Sequence, residues 1–172
     1  MSSDQPRRAS MYSRREQLER FMREEFAFLV TQHEYLETLA KREAMFTTMY
    51  YTKQSLGFRI VLDYRDQTLY PDLIRPPQGL EPKVGYLVGD QVVRVPLVVL
   101  FEDMLHIVDQ QVTLLTQTLG AGSLDSQGAR EGIAGLREII ERYLEIIEAQ
   151  PLDELLPSAD VFNRILRSHR RR

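Results

Sequence analysis

The sequence predicts an α+β fold: an antiparallel β-meander of three to five strands packed against a long N-terminal helix and two to three C-terminal helices. Three observations carry this. Apolar and polar residues alternate through residues 46–96, with Gly- and Asp-bearing turns between the runs. Charged segments with helical periodicity lie on either side, and strands bracketed by helices describe an α+β domain. The turns are too short for crossover helices, so neighbouring strands must run antiparallel.

The elements follow in order. Residues 1–12 are polar and read as a disordered N-terminus. A helix is expected over 13–44, where Met22, Phe26, Leu29, His33, Leu36 and Ala40 recur at steps of three and four. A second row, Phe21, Phe28, Tyr35 and Leu39, lies beside the first, and Val30 widens the apolar arc, so this helix should meet two surfaces. Residues 46–52 are rich in aromatic and β-branched side chains and read as a strand. In 58–65, Phe58, Ile60, Leu62 and Tyr64 alternate with Arg59, Asp63 and Arg65, with Val61 the exception, the cleanest period-two pattern in the chain. Arg65, Asp66 and Gln67 turn it into 68–74, where Pro71 demands an edge or a short strand. Residues 75–83 form a Pro- and Gly-bearing loop, and 85–88 with 92–95 form a hairpin around Gly89, Asp90 and Gln91.

Pro96 suits a first helical turn, and 97–119 continues without a breaker until Gly120 and Gly122; residues 123–128 read as a flexible link. The helix over 129–149 carries the seam Ile133, Leu136, Ile140, Tyr143 and Ile147. Pro151 and Pro157 punctuate a short turn, and Ser158 or Asp160 caps a last helix over 161–168. The chain thus divides into residues 1–12, one domain over 13–168, and a basic tail over 169–172.

Composition removes several chemistries. With no cysteine there is no disulfide, no thiolate nucleophile and no Cys-ligated metal. The longest apolar run, residues 95–101, falls far short of the roughly 20 residues that span a membrane. The first residues lack the apolar core of a secretory signal, so a cytoplasmic protein with no membrane span is expected. Residues 101–160 hold twelve acids against Arg130, Arg137 and Arg142, whereas Arg164, Arg167, Arg170, Arg171 and Arg172 end the chain without an acid among them. An Arg cluster without interleaved aromatics is a poor nucleic-acid signal, so nucleic acid is not the expected partner.

Few residues carry candidate chemistry. Glu102, Asp103, His106 and Asp109 would fall within about one helical turn of each other, where carboxylate and imidazole share a metal or a proton. A bundle-type di-metal site needs a second acid–His pair, and Val30 stands where His33 would need its acid. A solvated acidic face is the commoner outcome of such a pattern. His33 reads as a core or boundary histidine, and His169 as part of the basic tail. The segment 120–128 follows a helix rather than a strand and lacks a Lys-Ser/Thr ending, so it is a linker and not a phosphate loop. No catalytic residue and no cofactor are assigned. The remaining functional feature is aromatic, and the row Phe21, Phe28, Tyr35 and Leu39 is the expected partner-binding set.

The run from Tyr50 through Gly57, Phe58, Asp63, Arg65 and Asp66 to Arg75 resembles the hairpin core of small bacterial α+β proteins of the toxin-immunity type. That resemblance implies a binding protein and assigns no residue a role. The expected function is a protein–protein binding module, immunity-like or a homodimer. The alternative is a metal-dependent or hydrolytic enzyme with its acid/His site after Pro96.

Overall fold

The computed structural model describes residues 5–43, 45–64, 68–76, 85–110, 112 and 126–171. The turn at 65–67, most of the loop after Pro76, and the Gly120/Gly122 stop with the link up to Asp125 lie outside the described residues. The fold is α+β. A five-stranded antiparallel sheet has the order β1-β2-β3-β4-β7, with β1 Leu36–Arg42, β2 Phe46–Lys53, β3 Leu56–Asp63, β4 Thr68–Ile74 and β7 Arg94–Pro96. The expected hairpin forms a separate ribbon of β5 Leu87–Val88 and β6 Gln91–Val92. The helices are α1 Gln5–Glu25, α2 Ala27–His33, α3 Leu97–Val99 continuing into a π-turn Leu100–Met104, α4 Ser126–Ala149, α5 Leu152–Leu155 and α6 Ala159–His169. Among the described residues no helix is long and apolar enough to cross a membrane.

The alternation in β3 does what its period dictates. Phe58, Ile60 and Leu62 join Met49, Tyr51, Leu69 and Leu73 on the face that carries the core. Leu18, Met22, Phe26, Phe28 and Leu29 of α1 and α2 pack with them. The α4 seam supplies Ile133, Leu136, Ile140 and Ile147, while Tyr143 stays half-buried and Ile139 and Leu144 broaden the stripe. Pro71 sits in β4 opposite Ile60, and β7 pairs with β4 only from Asp72 onward. The strand is therefore open on one side where proline has no N–H to give. Gly57 is required by close approach. A Cβ there would stand 2.8 Å from the Tyr51 carbonyl oxygen.

Four expectations need correction. The chain is helical from Gln5, so residues 5–12 are not a disordered lead. The single helix over 13–44 is instead two helices and a strand. It ends at Glu34, which adopts φ 61°, and the Glu34 and Tyr35 N–H groups both bond back to the Leu29 carbonyl. A non-glycine residue there costs about 1–2 kcal/mol. Pairing of Leu36–Arg42 with β2 offsets that cost, with a bulge between Leu39 and Lys41. The helix over 97–119 is interrupted at 105–109; residues 110 and 112 are helical again, and 111 and 113–119 lie outside the described residues. The Leu105 N–H bonds to Leu100 and the Ile107 N–H to Phe101, with His106 at φ 52° between them. That is a helix stop of the glycine type built on a histidine. Finally, the last helix begins at Ala159 with Ser158 as N-cap and runs through His169, which therefore belongs to the folded domain rather than to a tail.

Candidate functional site

The short π-helical stretch after α3 turns its acids toward the C-terminal helix. A π-turn widens the backbone by one residue per turn and is frequent at functional sites. Here it sets Asp103 beneath α6, where its Oδ2 lies 2.6 Å from His169 Nδ1. Glu102 Oε2 is 4.0 Å from the same nitrogen. Donor atoms of all three residues lie within 4.8 Å of one another. The Asp103 carboxylate is almost fully buried, while the Glu102 and His169 side chains are partly exposed.

This trio can do two things chemically. Asp103 can accept a hydrogen bond from His169 Nδ1–H, which fixes the tautomer and leaves Nε2 as a proton acceptor. With Nδ1 deprotonated, the same three residues offer two carboxylate oxygens and one imidazole nitrogen to a divalent cation.

The expected quartet splits. Glu102 and Asp103 come together, but His106 and Asp109 do not join them. His106 occupies the left-handed position that ends the helix and is exposed. Asp109 accepts hydrogen bonds from Arg142 Nη1 at 2.9 Å and from the Tyr143 hydroxyl. The hydrogen bond to Asp109 pushes the Tyr143 hydroxyl above its ordinary pKa. The residue that completes the cluster, His169, is distant in sequence from Asp103, so no spacing pattern could join them. One signal was available: Phe162, Leu166 and His169 follow steps of four and three, which places the imidazole on the face α6 turns inward.

The expected partner-binding row is dispersed by the break at Glu34. Phe28 and Tyr35 are buried in the core. Phe21 is half-buried with the Arg130 guanidinium 5.4 Å above its ring. Leu39 lies on β1, where its side chain is outside the described residues. The apolar groups that this region does expose are Val30, at 39%, and Leu36, at 71%. Leu36 opens β1, and Val30 lies on α2.

The chain matches no protein family model, no curated protein and no solved structure.

Proposed function

We propose that the protein is a protein-binding module that docks an extended segment of its partner along β1. The observation that carries this reading is the edge position of β1, which among the described residues pairs with β2 on one side only, together with the 71% exposure of Leu36. An edge strand offers a row of unpaired N–H and C=O groups, and an added strand satisfies them while side-chain contacts select the partner. The bulge between Leu39 and Lys41 restricts regular pairing to Leu36–Leu39, where the exposed Leu36 supplies the apolar contact. The hairpin resemblance favours an immunity-type partner, a bacterial toxin met in the cytoplasm. A second copy of the chain is the other partner this edge admits.

Leu36→Asp tests the reading. The side chain is exposed, so folding should be unaffected, with thermal stability within about 0.5 kcal/mol of the parent. Affinity for a partner captured from the native cell, or for a second copy as read by light scattering, should fall about tenfold or more. Unchanged binding by this variant would remove β1 from the contact.

The enzyme reading is favoured by one observation, the approach of Glu102, Asp103 and His169 within 4.8 Å. Stoichiometric divalent metal that leaves on His169→Ala would support it.

A further inference from the structure

A cleft of about 320 Å³ opens between the β2–β3 turn and the junction of α4 with α5; it shares no lining residue with the Glu102–Asp103–His169 cluster, and its Tyr35 immediately precedes β1. Its walls mix Leu56, Leu152 and Leu155 with Tyr35, Lys53 and Glu148. Tyr35 is the telling residue. It is 1% exposed, and its buried hydroxyl makes no hydrogen bond of good geometry among the described residues, the Glu148 carboxylate being the acceptor beside it. An unsatisfied buried hydroxyl is costly and native proteins rarely tolerate one without reason. Burial first, and then the charge of Glu148 and a hydrogen bond toward it, raise the Tyr35 pKa, so the group remains a protonated donor at neutral pH. Lys53 Nζ lies 5.6 Å over the Tyr35 ring and 3.2 Å from Glu148 Oε1, closing the pair across the cleft. Both partners of that ion pair are about 30% exposed, and exposed pairs of this kind are weak and open readily.

We propose that this cleft binds a small aliphatic α-amino acid. Each polar group then has a role: the ligand carboxylate accepts from the Tyr35 hydroxyl and pairs with Lys53, while its ammonium pairs with Glu148 in place of Lys53. Leu56, Leu152 and Leu155 take the aliphatic side chain. A zwitterion leaves the site electrically balanced, whereas a simple amine or a simple carboxylate leaves either Lys53 or Glu148 uncompensated. The site does not depend on the β1 docking reading.

Calorimetric titration of the full chain with L-leucine tests this, beside isoamylamine and 4-methylpentanoate, which each lack one charged end. Saturable binding of leucine, weakened about tenfold by Tyr35→Phe and abolished by Lys53→Gln with Glu148→Gln, is the expected result. Tyr51→Phe is the control for folding and packing. Tyr51 carries a second buried hydroxyl with no hydrogen-bond partner among the described residues but does not line the cleft, so its loss should leave leucine binding unchanged. Three results overturn the proposal: no saturable heat with leucine, which leaves a cleft holding water alone; equal binding of either one-ended analogue; or equal affinity in Tyr35→Phe.

Discussion

Glu19 on α1 and Asp72 on β4 are both buried carboxylates with two arginines at hand, yet their acidities move in opposite directions. Burial alone would raise Glu19 above the usual carboxylate range, but hydrogen bonds from Thr47, Arg42 and Arg15 outweigh it and hold the carboxyl below that range. Its Oε1 accepts from the Thr47 hydroxyl at 2.7 Å and Arg15 Nε at 3.3 Å, and its Oε2 from Arg42 Nη2 at 2.6 Å. Thr47 in turn accepts from Arg15 Nε and the Tyr64 hydroxyl, each at 3.0 Å, and Arg15 stacks over the Tyr64 ring. At Asp72 the order reverses. Burial raises its pKa, and the attraction of Arg59 and Arg94 does not overcome it. Arg59 Nη1 donates to Asp72 Oδ2 at 2.7 Å, but Arg94 Nε stands 3.8 Å away, too far for a hydrogen bond. Two guanidinium groups are present in each case. What differs is how many donors reach the carboxylate, because hydrogen bonds to the charged form act in addition to charge alone.

Breaking the Glu19 network should have the largest effect. Glu19→Ala leaves Arg15 with its guanidinium largely buried and without its carboxylate, a loss of about 3–5 kcal/mol in urea denaturation at neutral pH. A loss under about 1 kcal/mol would mean that Thr47 and the Phe46 carbonyl satisfy Arg15 unaided.

Acidification sharpens the contrast. The folded pKa of Glu19 is depressed, so its stabilisation is complete above the unfolded pKa and is lost as pH falls through the folded one. The gap in thermal midpoint between the parent and Glu19→Gln should therefore narrow below about pH 4. A gap independent of pH would mean that the charge of Glu19 contributes nothing.

The smallest expected effect has the opposite sign. Because the folded pKa of Asp72 is raised, its ionised form costs stability at neutral pH, and that cost disappears as pH falls through the raised value. Asp72→Asn should be neutral or stabilising at pH 7, by about 1 kcal/mol at most, and should converge with the parent on acidification. A loss as large as that of Glu19→Ala would show that Arg59 cannot do without its charged partner, and the two sites would then be alike.

Much of this architecture was legible residue by residue. The alternation of Phe58, Ile60 and Leu62 placed them on the core face, although Val61 and Asp63 on the other face are buried as well, and the α4 seam of Ile133, Leu136, Ile140 and Ile147 marked the stripe that meets α1. The candidate sites were legible only in halves. Glu102 and Asp103 stood out as a pair, but His169 and their common turn did not. Glu148 read as one more acid on a charged helix, although it faces Lys53 across a cleft.

The sequence by itself determined the class of fold, the antiparallel pairing of neighbouring strands and the buried face of β3, since hydrophobic period and turn length are properties of one continuous segment. Tertiary structure alone decided whether residues 36–42 became helix or strand. Their spacing of Leu36, Leu39 and Ala40 is that of a helix, and β2 overrode it by supplying hydrogen-bond partners to a strand. It also decided that Tyr35 is core, that His169 meets Asp103, and that Glu19 and Asp72 differ in sign. Each of these depends on groups far apart along the chain, and their distance in space exists only once the chain has folded.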